Sequence, residues 1–233
     1  MGTGTARRRG TPTGRRAAAM VAVSAMGLAG SATPAGAAGP DHADAVEVFE
    51  RDVFEIVGST LRNPDATTDP SARLFNVAGV PLERTWGQWS SASATSTVRV
   101  SGGRSPRTDV RLELAGLVPS GVYSVFWGTL SPDSENPLCP GVERTLPLPS
   151  VDPGQLPDSS SFVAGADGRG TFRGRLDGSL LTAGQVFFNV IYHFDGRTYG
   201  SLPNRGEFLT QGADCRSSFG EDAMRHLVVL QKL

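Results

Sequence analysis

The chain has 233 residues, of which 39% are apolar and 19% charged, a composition typical of globular proteins that excludes a disordered or fibrous one. Its 29 glycines and 16 prolines, against 11 Phe, 3 Tyr and 3 Trp, indicate many turns between short segments. Such a composition favours an all-β chain over a helical one. The formal net charge of −1 conceals a difference between the N-terminus and the rest of the chain.

The N-terminus has the composition of a secretory signal peptide. Five arginines and no acidic residue precede the small and apolar run Ala17–Ala32, which is too short and too weakly apolar to remain as a membrane span. Ala35-Gly36-Ala37 supplies a small-x-small cleavage pattern. We therefore predict a signal peptide over residues 1–37, a linker over 38–45 and one β-sandwich domain over 46–233.

This leader predicts a protein that is secreted or held in the cell envelope, with no membrane span after cleavage. Arg15-Arg16 fits a twin-arginine signal, but three alanines follow where that signal usually has a bulky apolar pair, so the Sec and twin-arginine routes both stay open. Cleavage leaves 17 basic and 23 acidic side chains, a net charge of about −6. An acidic protein without a Lys/Arg cluster is unsuited to nucleic acid or an anionic membrane, both of which demand a positive surface. The expected partner is an extracellular ligand or a surface component.

The two cysteines, Cys139 and Cys215, both lie in the predicted exported part, where a disulfide is the default expectation. Closing a loop of about 77 residues would stabilise the fold by roughly 4 kcal/mol on the chain-entropy model. The alternative, a pair of thiolate metal ligands, lacks a second Cys or a His at ligand spacing.

The first part of the mature chain gives the weakest structural signals. Val46–Val57 predicts one or two strands, although its charges also fit a helix. Turn residues around Asn63-Pro64-Asp65 predict a loop, and Arg73–Gly79 and Arg84–Ser90 are further candidate strands. Within the last of these, Trp86 and Trp89 offer a stacking platform for a sugar ring, but burial is the commoner fate of indole.

The middle of the chain is clearer. Period-two alternation over Ala94–Val100 and Val110–Leu114 predicts strands with one solvated face. Val122–Leu130 is apolar on both faces and therefore predicts a central, buried strand. Seven prolines between Ser131 and Ser160 indicate a long surface excursion without a regular ladder, and hence a candidate binding surface.

The last third predicts further strands. Phe162–Ala164 and Gly170–Leu176 read as a hairpin about Asp167-Gly168, and Gln185–Phe194 is the strongest strand signal, ending at Asp195-Gly196. His226–Leu230 is a closing strand, and weaker pieces are indicated at 197–202 and 207–211. Together these elements predict an all-β fold, a single antiparallel Greek-key-like β-sandwich with a long Pro-rich loop, preceded by a signal peptide.

No convergent catalytic signature is present. The sequence lacks Gly-x-Ser-x-Gly, His-Glu-x-x-His and the glycine-rich phosphate and dinucleotide loops. No catalytic residue, metal ligand or cofactor is therefore assigned, which favours a protein that is not an enzyme. Loop acids such as Asp65, Asp69, Asp152 and Asp158 lack the spacing of a calcium loop and are better explained as solvated turn residues.

The most suggestive cluster surrounds the end of the strongest strand. His193, Asp195, Arg197 and Tyr199 form our candidate ligand site, at a loop end where a sandwich usually presents variable chemistry. Two residues apart on one strand face, His193 and Asp195 could hold a metal or form a His–carboxylate pair, which His226 could join. The simpler alternative is a packed histidine followed by an ordinary Asp-Gly turn.

Three stretches carry a family resemblance: residues 112–125, Gly165–Gly170 and Tyr192–Gly196. They resemble a loose group of uncharacterised secreted bacterial and archaeal β-sandwich proteins. Their pattern of turn and core residues also resembles that of the chordin-type repeat and of the copper/zinc superoxide dismutase sandwich. The resemblance covers residues 98–230 and implies the fold more than any activity. The strand that would carry dismutase ligands, Val122–Trp127, has no His.

These observations predict an exported, disulfide-stapled β-sandwich with a non-catalytic binding or scaffolding role at the cell surface or in the medium. The alternative is a metal-binding protein or enzyme centred on His193 and Asp195. The ligand would sit at the loop end near Asp195, where the Pro-rich excursion could meet the connection that follows it.

Overall fold

The computed structural model describes residues 45–130, 142–152, 159–198 and 223–233, which lie within one compact unit, Ala37–Leu233. The elements in chain order are β1 (Ala45–Val48), β2 (Glu55–Val57), β3 (Thr60–Arg62), β4 (Arg73–Phe75), β5 (Pro81–Thr85), α1 (Trp86–Ser90), β6 (Ser93–Ser101), β7 (Arg107–Ala115), β8 (Val122–Leu130), β9 (Val142–Pro147), β10 (Ser161–Val163), β11 (Gly170–Asp177), β12 (Gln185–His193) and β13 (Ala223–Lys232).

Two antiparallel sheets dominate the fold. Among the described residues, the first has six strands in the order β1-β13-β12-β8-β10, with β9 also paired to β8. β10 pairs with Val122–Ser124 and β9 with Phe126–Leu130, so these two strands divide one edge of β8 between them. The second sheet has the order β11-β7-β6, and β2-β3 and β4-β5 form two small ribbons.

The core lies between the two larger sheets. Inward residues of the second sheet, such as Val110, Leu112 and Phe172, join one buried cluster with residues of the first sheet, such as Val125 and Phe188. A buried hydrogen bond from the Ser96 hydroxyl to Gln231 Oε1, 2.7 Å long, also joins the sheets. The predicted all-β architecture of antiparallel sheets packed as a sandwich is confirmed.

The central strands of the first sheet are buried on both faces. In β12, residues that alternate with the inward Phe188 and Val190 point to the opposite face, yet Phe187 and Ile191 are also buried there. Phe126 of β8 is buried on that face too. This double burial confirms that Val122–Leu130 is a central strand and explains why its sequence is apolar without alternation.

The predicted Pro-rich excursion is wrong in part, because β9 pairs with β8 inside it. Six residues between Pro140 and Leu148 form this strand, and its only proline is the last residue, so the ladder loses few donors. The chain then crosses to the second sheet. The Leu148 amide donates to Val125 of β8, while the Val151 amide donates to Arg173 of β11.

Two further predictions are corrected. Ser161–Val163 and Gly170–Asp177 do not form a hairpin, because the first pairs with β8 and the second with β7 in the other sheet. The turn between them is real, with Gly168 at φ +71°, but it reverses the chain across the sandwich. Likewise Trp86–Ser90 is a helical turn and not a strand, because Thr85 and Gln88 form a capping box at its start.

Several predictions lie outside the described residues. These are the signal peptide and most of the linker, Cys139, Cys215, Tyr199 and the strand pieces at 199–202 and 207–211. Among the residues that the structure does describe, no helix is long and apolar enough to cross a membrane.

Candidate functional site

The predicted loop site separates into a buried and an exposed part. His193 ends β12 with 2% of its surface exposed, and its Nε2 lies 2.7 Å from the Ser124 hydroxyl. Asp195 and Arg197 follow in an exposed turn, where the Asp195 carboxylate accepts the Arg197 amide at 3.0 Å. This is the bonding of an ordinary Asx turn. The structure brings Asp195 and Arg197 together, and it turns the His193 ring toward Ser124.

His193 belongs to a buried chain of polar side chains. The Ser124 hydroxyl, which meets the histidine ring, also lies 2.9 Å from the hydroxyl of Ser161 on β10. All three residues are buried. A serine beside a histidine is the elementary unit of a nucleophilic hydrolase, but here both groups lack solvent access. The sequence patterns missed this contact, because Ser124 and His193 meet only through the pairing of β8 with β12.

His226 lies at an irregularity in the first sheet. Leu227 pairs with Val190 and Arg225 with Ile191, so His226 is the extra residue of a β-bulge. The bulge directs the ring into the sandwich, where it stacks on Trp89 with the centroids 3.8 Å apart. Trp89 is itself buried, so the sugar-stacking alternative loses one of its two indoles.

Hydrogen bonds fix the tautomer of His226. Its Nε2 lies 3.0 Å from the Trp89 carbonyl, which can only accept, so Nε2 carries the proton. Its Nδ1 then accepts from the Tyr123 hydroxyl at 3.0 Å, and that hydroxyl in turn accepts from the Val118 amide at 2.8 Å. Burial lowers the pKa of His226 to about 4 and raises the pKa of the Tyr123 hydroxyl. The histidine is therefore neutral at pH 7 and structural.

The two histidines do not converge. Tyr192 and Tyr123 point into the sandwich, so their neighbours His193 and Ser124 point to the opposite face of the first sheet. His226 lies on the inner face, against Tyr123. Across the described part of the chain, no three His, Cys, Asp or Glu side chains gather as metal ligands.

An open groove lies on the outer face of the second sheet, with a volume of about 340 Å³. We call it the arginine groove. Its lining side chains are Thr97 and Arg99 from β6, Asp109 and Arg111 from β7, Arg173 and Arg175 from β11, and Val151 from the segment that follows β9. Because side chains alternate along a strand, the same three strands supply Val98, Val110, Leu112 and Phe172 to the core.

The described lining of the groove contains four arginines and one aspartate. Arg175 Nε lies 2.7 Å from Asp109 Oδ1, and Arg111 pairs with Glu113, just outside the groove, at 2.6 Å. Arg173 is exposed and directly opposite Arg111 in the register of β11 and β7. Within the described ranges, Arg173 has no carboxylate within ion-pair distance. Like charges directly opposite each other destabilise a sheet, so Arg173, which lacks a carboxylate partner among the described residues, faces a second cation.

Sequence reasoning missed the groove because its arginines are dispersed over positions 99 to 175. The sequence after the predicted leader shows no Lys/Arg cluster, yet the pairing of β6, β7 and β11 assembles four arginines on one face. A signal was present in the alternation itself, since the outward positions of three predicted strands are rich in arginine. Strand order was needed to show that these positions are neighbours.

No protein-family model, curated protein or solved structure matches the chain. The assignment of function therefore rests on the chemistry of these residues.

Proposed function

We propose that the protein is an exported, non-catalytic binding module whose sandwich displays a ligand-binding surface at the cell surface or in the medium. The observation that carries the proposal is the contrast between the histidines and the arginines. Both described histidines, His193 and His226, are buried in hydrogen-bonded structural positions. The groove on the second sheet instead presents charged side chains to solvent, on a floor held rigid by three paired strands.

A rigid floor favours binding for a physical reason. Side chains anchored on paired strands lose less conformational freedom on ligand contact than side chains on a loop, so less of the binding free energy is spent on ordering them. Core residues directly beneath the groove, Val110 and Leu112, hold β7 in place. The proposed disulfide between Cys139 and Cys215 would add a covalent restraint to the same exported fold.

The competing function is a hydrolase centred on the Ser124–His193 contact, which is the specific observation in its favour. Its simplest test is labelling with a fluorescent fluorophosphonate, a reagent that reacts with activated serines. The binding-module proposal predicts no labelling of wild type at native pH. Labelling that disappears in both Ser124→Ala and His193→Ala would contradict the proposal and favour the hydrolase.

The binding function itself is tested with the full-chain protein recovered from the medium or envelope fraction of an exporting host. We expect saturable binding to at least one member of a panel of immobilised extracellular polysaccharides, together with no turnover in a hydrolase and redox screen. Export is read separately, from the N-terminal residue of the recovered protein. Retention inside the cell, or turnover abolished by His193→Ala, would overturn the proposal.

A further inference from the structure

The arginine groove combines three features that restrict the chemistry of its ligand. It has an excess of guanidinium groups, it contains hydroxyl and carboxylate groups among them, and one rim is apolar. Guanidinium is a planar fork that matches a carboxylate, phosphate or sulfate through two parallel hydrogen bonds. Arg173, which has no carboxylate partner in the described part of the chain, is thus the natural anchor for an anion.

The residues around Arg173 also favour an anionic ligand. Arg111 stands opposite it on β7 and Arg175 lies two residues along the same strand face, so cations flank it in two directions. Asp109 and Glu113, the acids nearest to it in register, are already bonded to Arg175 and Arg111. An anion placed over Arg173 would offset the repulsion between Arg173 and Arg111. Binding would therefore stabilise the second sheet as well as the complex.

The other groups in the groove distinguish a sparsely charged ligand from a densely charged one. Asp109 and Glu113 lie among the arginines, and they would repel a polymer whose charges are closely spaced along its length, such as duplex DNA or polyphosphate. A sugar chain presents hydroxyl groups between its charges. Thr97 and Asp109 can hydrogen-bond to such hydroxyls, while Val151 offers an exposed apolar contact for the face of a sugar ring.

We propose that the arginine groove binds a carboxylate-bearing polysaccharide, with Arg173 as the principal cation and Arg111 beside it. The inference rests on the proposed binding function and names the ligand class of the same surface. Arg99 and Arg175 lie in the neighbouring row of side chains, on β6 and β11, where they can contact further sugars of the polysaccharide.

The probe is a fluorescein-labelled oligogalacturonate, measured by fluorescence anisotropy with the full-chain protein. We expect Arg173→Gln to weaken its binding about tenfold, as for loss of one charge-assisted hydrogen-bonded contact. The matched control is Arg73→Gln, which removes the same charge from an exposed position on β4 and should change the affinity less than about twofold. The methyl-esterified oligomer has the same sugar backbone without charge and should bind far more weakly than the acid.

A second readout guards against a folding defect. Oligogalacturonate should raise the melting temperature of wild type and raise that of Arg173→Gln much less, while the two free proteins should melt within a few degrees of each other. Duplex DNA and polyphosphate are the competing polyanions.

Equal or tighter binding of either polyanion would overturn the inference, as would oligogalacturonate binding that is unchanged in Arg173→Gln. If the esterified or another neutral glycan binds and Arg173→Gln has no effect, this inference fails and the binding function stands. Absence of binding across the whole polysaccharide panel would defeat both.

Discussion

Replacing His226 with glutamine should remove one component of the acid sensitivity of this protein. The imidazole is enclosed by Trp89 and Tyr123, with Arg84 adding an unfavourable electrostatic contribution to its protonated form. Protonation would place a charge in the core and would also oblige Nδ1, which accepts from the Tyr123 hydroxyl, to become a donor. Glutamine keeps one donor and one acceptor but has no proton to gain over this range.

The magnitude follows from the pKa of His226, which is about 4 in the folded protein and about 6.5 in the unfolded chain. Below pH 6.5 the unfolded chain binds the proton more tightly, so the free energy of unfolding falls as the pH falls. The loss runs at up to about 1.4 kcal/mol per pH unit and totals about 3 kcal/mol by pH 4. Above pH 6.5 both states are neutral and the contribution is fully present.

The assay is urea denaturation followed by tryptophan fluorescence at a series of pH values from 7 to about 4.5, a range above most carboxylate titrations. At pH 7 we expect His226→Gln to be less stable than wild type by about 1–3 kcal/mol, because the ring stack and one well-formed hydrogen bond are lost. Its stability should then fall less steeply with acid, so that the two curves converge. Parallel curves would refute the assignment of a neutral, low-pKa histidine.

Three further variants test the packing and the covalent restraint. Arg225→Met should lower the free energy of unfolding by about 3–5 kcal/mol in urea denaturation, because Arg225 Nε and Nη2 donate to the largely buried Asp52 carboxylate at 2.9 and 3.0 Å and loss of the arginine leaves that carboxylate unpaired. A double variant that also carries Asp52→Leu should recover stability, and no recovery would contradict a buried ion pair. Gly174→Ala should cost about 1–3 kcal/mol in the same assay, because a Cβ there would lie 2.5 Å from Leu148 Cγ, and an unchanged midpoint would show that the crossing segment moves freely. Cys139→Ser should lower the melting temperature of the exported protein, and intact-mass analysis of wild type should show no free thiol; labelling of both cysteines without reductant would exclude the predicted disulfide.

The strands with period-two alternation were predictable from sequence because one face of each is solvated. β6 and β7 fall close to the predicted ranges, and so does β12, although both of its faces are buried. Misassignments occurred where long-range pairing overrides the local pattern. Nothing near Phe162 indicates that β10 joins one sheet while β11 joins the other, because that choice depends on which edge of β8 and β7 is free.

The candidate sites, like the strands, were predictable where local sequence determines the structure and were missed where distant strands determine it. The turn chemistry of Asp195-Gly196 was readable locally, since an Asx turn needs only its own neighbours. The buried contact of His193 was not readable locally, because its partner Ser124 lies in a strand about 70 residues earlier. The arginine groove is the extreme case, since its charge exists only when three strands stand side by side.

The position of β13 has a kinetic consequence. This strand, at residues 223–232, inserts between β1 and β12, so β1 at residues 45–48 cannot form this pairing until the chain has been synthesised through β13. Contacts of such long sequence separation form slowly, because a large loop must close before any pairing offsets the lost entropy. Until then β1 has no neighbour in this sheet and β12 exposes an unpaired backbone edge that invites association with other chains. Completion of the first sheet therefore follows synthesis of β13, and deletion of β13 should yield an aggregating protein rather than a smaller sandwich.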